Sequence, residues 1–215
     1  MTTTADIKQI CRQAPMIPVL VIGEIEDAVP MARALIEGGL RVFEITLRSD
    51  CALGAIERIA KACPEALVGA GTLKAAHDVD DCINAGAVFG ASPGSPAPLV
   101  EKVLDAGFPF LPGCVTPTEA MALFDCGFEV LKFFPAEASG GVKMLESMIS
   151  PLPDVAFCPT GGISLENAKH YLKLPNVITV GGSWVAPSGL IAQKDWNAIR
   201  KTANRTCEEL LCVQS

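Results

Sequence analysis

Val130-Leu131-Lys132-Phe133-Phe134-Pro135 is a short apolar run interrupted by a single ammonium group. Bounded by Gly127 on one side and Pro135 on the other, it reads as a strand buried on both faces, the kind a parallel sheet uses. Nothing in the packing of such a strand asks for a lysine. Burying one costs several kcal/mol unless it is paired or loses its proton, so the residue calls for a chemical reason. An unprotonated lysine attacks carbonyl carbon and forms a Schiff base, and desolvation is one way to reach that state.

Working outward from this run, apolar or β-branched stretches alternate with amphipathic ones about every 25 residues. Strands are predicted at 18–23, 42–46, 67–71, 88–92, 110–112, 130–133, 155–158 and 177–180. Helical patterns include 27–37, 51–62, 99–106, 118–126 and 166–172, with a closing helix over 194–211. Glycines at the ends of helical patterns, in Glu37-Gly38-Gly39, Ala85-Gly86, Ala106-Gly107 and Cys126-Gly127, read as C-caps. Eight βα units without a break in composition predict one α/β domain over 1–215, a (β/α)8 barrel, although a doubly wound sheet shares much of the pattern. Polar residues gather at strand ends, as a barrel's C-terminal rim requires.

The 215 residues are half hydrophobic and 19% charged, with 19 Gly and 16 Pro, a composition suited to a globular domain with many tight turns. A formal net charge of -7 argues against a nucleic-acid partner, so an anionic substrate must be held by local features. The nine cysteines include no C-x-x-C pair and sit mostly in apolar settings, which predicts reduced thiols rather than disulfides or a zinc site. His77 and His170 both fall in predicted helices, and no metal or cofactor is expected. Residues 1–6 lack a signal pattern and no apolar run reaches membrane-spanning length, so a soluble, cytoplasmic protein without a membrane partner is predicted.

The second strand places Glu44, Thr46 and Arg48 on one side by its period of two. A structural reading pairs Glu44 with Arg48 as an internal salt bridge. The chemical reading lets Glu44 shuttle protons beside the lysine while Arg48 orients a substrate carboxylate. Lys132 has a structural reading too, as a buried amine paired with a carboxylate. Lys74 and Lys143 lack its apolar surroundings. Thr160-Gly161-Gly162 follows the seventh strand and Gly181-Gly182-Ser183 the eighth, where barrel loops recurrently hold phosphate through backbone N–H groups. Glu137 reads as a solvated loop charge or a helix-start carboxylate.

The ordered set Phe43-Glu44-Ile45-Thr46-Leu47-Arg48, Gly69-Ala70-Gly71-Thr72, Ser92-Pro93-Gly94, Leu131-Lys132-Phe133-Phe134-Pro135-Ala136-Glu137, Pro159-Thr160-Gly161-Gly162-Ile163 and Gly181-Gly182-Ser183-Trp184 resembles the 2-keto-3-deoxy-6-phosphogluconate aldolases. These include enzymes that also cleave 4-hydroxy-2-oxoglutarate. The resemblance covers nearly the whole chain; Cys114-Val115 and the termini are less characteristic. It implies a class I aldolase on a (β/α)8 barrel, assembled as a homotrimer and serving the Entner–Doudoroff pathway, with a small keto-acid phosphate as substrate. Lys132 is then the Schiff-base lysine and Glu44 the general acid/base. Arg48 and Thr72 hold the pyruvate end beside Phe134, and Gly161, Gly162, Gly182 and Ser183 hold the phosphate. Two rival readings are a phosphate-binding isomerase or epimerase with no covalent step, and a non-catalytic phosphosugar sensor.

Overall fold

The strands are short, each a run of two to five mostly apolar or small residues. The computed structural model describes residues 6–214, so the N-terminal residues 1–5, on which the signal-sequence reading mainly rests, lie outside it. In chain order the strands are β1 (Met16–Leu20), β2 (Val42–Thr46), β3 (Leu67–Gly71), β4 (Phe89–Ala91), β5 (Phe110–Leu111), β6 (Gly113–Cys114), β7 (Val130–Phe133), β8 (Ala156–Pro159) and β9 (Val180–Gly182). The helices are α1 (Ile7–Arg12), α2 (Ala28–Glu37), α3 (Ala52–Ala62), α4 (Ala76–Asn84), α5 (Ala97–Ala106), α6 (Pro117–Asp125), α7 (Gly141–Met148), α8 (Leu165–Leu172), α9 (Ser188–Ala192) and α10 (Trp196–Gln214). The strand pairs are parallel, giving an α/β fold with a six-stranded sheet, β5-β4-β3-β2-β1-β9, and a three-stranded sheet, β6-β7-β8.

Alternation along β2 shows how the two faces differ. Phe43 and Ile45 enter the larger core between sheet and helices, with Leu35 of α2 and Ile56 of α3. Val42 points the other way, into a cluster with Ile17, Phe89, Ala91, Leu111, Val130 and Cys158. Ile10, Cys11 and Ala14, from α1 and the turn after it, complete that inner cluster. Gly69 belongs to it by omission, because a Cβ there would lie 2.3 Å from the Phe89 ring. Full burial of that ring contributes about 1.5–3 kcal/mol, which a glycine on the neighbouring strand makes sterically possible.

Helix ends follow the sequence closely. Gly39, Gly86, Gly107 and Gly127 all take positive φ after their helices, which a Cβ would oppose. At the start of α6, the Glu119 carboxylate accepts from the Val115 and Thr116 N–H groups while Thr116 Oγ1 accepts from Glu119 N. These backbone hydrogen bonds hold the Glu119 carboxyl below its ordinary range. Among the described residues no helix is long and apolar enough to cross a membrane.

Three expectations need correction. The fifth predicted strand is split at Pro112, where the six-stranded sheet ends at β5 and the three-stranded sheet begins at β6. Its first half pairs with β4 and its second with β7, and proline supplies no N–H to continue a ladder through the break. β1 starts two residues earlier than predicted, because Met16, Ile17 and Pro18 pair with Val180, Gly181 and Gly182. The same pairing puts Gly181 and Gly182 in a strand instead of the loop that a Gly-Gly pair suggests. Close approach is their reason: a Cβ would fall 2.2 Å from Thr160 Oγ1 at Gly181 and 1.9 Å from the Trp184 ring at Gly182.

Candidate active site

Every residue of β7 is buried, and Lys132 shares the inward direction of Val130. Its backbone is fixed from both sides, in register with Gly113 on β6 and Cys158 on β8, while its N–H donates to the Pro112 carbonyl at 2.9 Å. On β2, Glu44 lies in register with Val19 and Gly69. The two side chains meet: Lys132 Nζ donates to Glu44 Oε1 at 2.7 Å, with side-chain exposures of 7% and 3%. Lys132 therefore has a charged partner as well as apolar surroundings, and among the described residues no ion pair joins Glu44 to Arg48. At this burial the pair loses most of its hydration, so proton position and amine reactivity are controlled by a few neighbouring atoms.

One neighbour is Gly71, at the end of β3. A Cβ at that position would lie 2.7 Å from Glu44 Oε1, so the glycine makes room for the carboxylate. Thr72 follows it with φ +66, an unusual backbone state for a β-branched residue, and is half-buried. On the other side, burial pushes the Cys158 thiol up to about 12; the Lys132 charge opposes that rise and the Glu44 charge adds to it. The thiol next to the pair stays neutral in ordinary buffers and does not compete as a base.

A cavity of about 520 Å³ gathers Arg48, Phe134, Gly161, Gly162, Gly182 and Ser183, six of the nine predicted site residues; Lys132 and Glu44 do not line it. Thr160, Ile163, Trp184 and Ser188 line it too. Phe134 is two residues beyond Lys132, so β7 leads from the amine to the cavity wall. Arg48 reaches it from a turn rather than a strand, because β2 ends at Thr46, whose hydroxyl donates to the Leu20 carbonyl. Thr72 does not line this cavity; it stands on the Glu44 side. A larger cavity of about 720 Å³ lies where β8 begins, beside Lys8, Arg12 and Asn176, and is lined by none of the nine predicted site residues.

The loop after β8 is built from glycines at φ +102 (Gly161) and +78 (Gly162). The Thr160 and Gly161 carbonyls accept from Ala136 N at 2.8 Å and Glu137 N at 3.1 Å, and Asn167 Nδ2 donates to the Gly162 carbonyl at 3.1 Å. Glu137 opens a 3-10 turn, and its carboxylate accepts a short hydrogen bond from the buried Tyr171 hydroxyl. Burial, then the hydrogen bond and charge of Glu137, hold that phenol above its ordinary range and keep it a donor. Sequence reasoning named Thr160 only as part of the glycine loop, and gave no site role to Gly71, Asn167 or Tyr171. For Thr160 a signal existed, since the period of two on β8 places it on the face of Cys158; the others act through contacts between distant segments.

The family model described as KDPG and KHG aldolase matches residues 7–202, a span holding every site residue from Glu44 to Ser183. The chain belongs to the KDPG and KHG aldolase family. A relative from Escherichia coli K12, named KHG/KDPG aldolase, is 45% identical over 201 residues, 94% of each chain. The KDPG aldolase of Legionella pneumophila, solved with pyruvate captured at low pH as a covalent carbinolamine, has a TM-score of 0.93 at 39% identity, covering 95% of this chain and 100% of that one. The 2-keto-3-deoxy-6-phosphogluconate aldolase of Zymomonas mobilis ZM4, solved with 3-phosphoglycerate, has a TM-score of 0.90 at 44% identity, covering 95% and 96%. Membership in the KDPG and KHG aldolase family accords with the two parts of this site, a buried lysine–carboxylate pair and a glycine-lined cavity beyond it.

Proposed function

We propose that this chain is a class I aldolase cleaving 2-keto-3-deoxy-6-phosphogluconate to pyruvate and glyceraldehyde 3-phosphate through a Schiff base on Lys132. The same site cleaves 4-hydroxy-2-oxoglutarate to pyruvate and glyoxylate. The observation that carries this reading is the buried 2.7 Å contact between Lys132 and Glu44, with Lys132 two residues along the chain from Phe134, which lines the glycine-walled cavity. The pyruvate carbinolamine of the Legionella relative and the phosphorylated ligand of the Zymomonas relative support it.

The chemistry follows from the pair. With its proton passed to Glu44, the Lys132 amine attacks the C2 ketone and gives a carbinolamine. Glu44 returns a proton to the departing hydroxyl, water leaves, and a protonated iminium remains. Glu44 then removes the C4 hydroxyl proton, the C3–C4 bond breaks, and its electron pair moves into the iminium to form an enamine while the aldehyde departs. Protonation at C3 and hydrolysis release pyruvate and regenerate the amine. Arg48 and Thr72 hold the carboxylate beside Phe134 so that the C3–C4 bond aligns with the iminium π-system. Gly161, Gly162, Gly182 and Ser183 hold the phosphate at the far end.

The architecture under this site is one closed (β/α)8 barrel forming a single domain, with β5 and β6 as halves of the fifth strand. Isolated parallel bridges between Phe157 and Val177 and between Thr160 and Gly181 join the edges of the two sheets and support this closure. The working assembly is a cytoplasmic homotrimer. The test is a lactate dehydrogenase-coupled assay of pyruvate release from each keto acid, with and without a chelator. Chelator-insensitive release from the phosphorylated substrate is expected; no release from either keto acid overturns the proposal.

A further inference from the structure

We propose that Glu137, Tyr171 and Asn167 form a buttress behind the loop after β8, positioning the Gly162 and Ile163 N–H groups for phosphate and so setting the preference for phosphorylated keto acids. The inference rests on the phosphate role of that loop proposed above and concerns residues that do not line its cavity.

A trans peptide unit points its C=O and the next residue's N–H in opposite directions. The Gly161 carbonyl is held by Glu137 N, so the Gly162 N–H points away from Glu137. The Gly162 carbonyl is held by Asn167 Nδ2, so the Ile163 N–H points away from Asn167. Gly161, Gly162 and Ile163 line the 520 Å³ cavity, whereas Glu137, Asn167 and Tyr171 line a separate one of about 450 Å³. The loop is a partition, with carbonyls anchored on one side and two successive N–H groups left for the other.

The anchors are themselves fixed. Tyr171, fully buried on α8, donates to the Glu137 carboxylate. The Glu137 stem then backs Gly162, where a Cβ would fall 2.7 Å from Glu137 Cβ and Cγ. Asn167 is held by the start of α8, its Oδ1 accepting from Ser164 N at 2.7 Å, which directs its amide N–H at the Gly162 carbonyl. No member of the buttress reaches Lys132 or Glu44, so its loss is expected in phosphate recognition and not in the covalent step.

Two near-isosteric variants test this. Tyr171→Phe removes only the hydroxyl, and Asn167→Asp removes the donor to Gly162 while keeping the acceptor for Ser164 N. Each is expected to raise KM for the phosphorylated keto acid about tenfold and to weaken competitive inhibition by inorganic phosphate equally. In each, kcat and the kinetics of 4-hydroxy-2-oxoglutarate should stay within about twofold. Glu137→Gln, which keeps an acceptor for Tyr171, should hold KM near the wild-type value while Glu137→Ala should not. Equal losses on both keto acids, or variants that keep the wild-type preference and phosphate inhibition, overturn the buttress alone. A wild-type enzyme that neither prefers the phosphorylated substrate nor is inhibited by phosphate overturns the loop's phosphate role and the buttress with it.

Discussion

Lys132 Nζ sits 2.7 Å from Glu44 Oε1 although 88 residues separate them in the chain, and each is almost fully removed from solvent. In the proposed mechanism this contact makes Glu44 the base beside the amine and the acid beside its carbinolamine. Glu44→Gln keeps the shape and removes the proton-transfer capacity. Cleavage and exchange of the pyruvate methyl protons, followed by NMR in D2O, should both slow by about 10²–10⁴-fold. Unchanged exchange would remove Glu44 from the proton-transfer role.

Gly71 is the steric partner of that carboxylate. Gly71→Ala places a methyl group 2.7 Å from the position of Glu44 Oε1, closer than van der Waals contact allows, so the carboxylate must move. A displacement of an ångström in a reacting group costs about 10²-fold, and kcat should fall by that order on both keto acids. Wild-type kcat in a folded Gly71→Ala enzyme would show that the carboxylate position is unimportant.

Arg48 lines the cavity and holds the substrate carboxylate in the proposed mechanism. Arg48→Ala should raise KM for the phosphorylated and unphosphorylated keto acids alike, by about 10–100-fold, because both carry the carboxylate. A loss confined to the phosphorylated substrate would reassign Arg48 to the phosphate.

Much of this was legible in the sequence, and the failures have physical causes. Alternation of apolar runs and amphipathic helices located the strands because a parallel strand buried on both faces cannot be polar, and Lys132 stood out against that rule. Glu44 followed from the period of two on its strand. Arg48 was reached by extending that period past Thr46, and it arrived in the cavity by way of a turn. Gly181 and Gly182 were misread because a glycine pair that admits a neighbouring side chain looks the same in sequence as one that makes a turn. Tyr171, Asn167 and Gly71 were not assigned because each acts on a residue that only the fold brings near. The division at Pro112 was missed since pairing partners, unlike propensities, are not local.

Alkaline stability provides a test of the buried thiols. Burial pushes Cys82, Cys114 and Cys158 from their ordinary value of 9.0 up to about 12. A raised thiol pKa means the folded state keeps protons that the unfolded chain releases, so stability is intact below pH 9 and falls between 9 and 12. Each thiol contributes a slope of about 1.4 kcal/mol per pH unit in that window. Calorimetry should show Tm falling steeply above pH 9, with a shallower fall in Cys82→Ala or Cys114→Ala; a flat Tm through pH 10.5 would contradict the assignment.

In the proposed mechanism Lys132 forms a covalent bond with a keto acid. Borohydride reduction in the presence of pyruvate, followed by peptide mass mapping, tests it directly and separates an aldolase from an isomerase or epimerase with no covalent step. Inactivation is expected, with a single reduced pyruvate adduct on Lys132 that is absent without pyruvate and insensitive to chelator. Adduct on Lys74 or Lys143 instead, or full activity with no adduct at all, would contradict that mechanism.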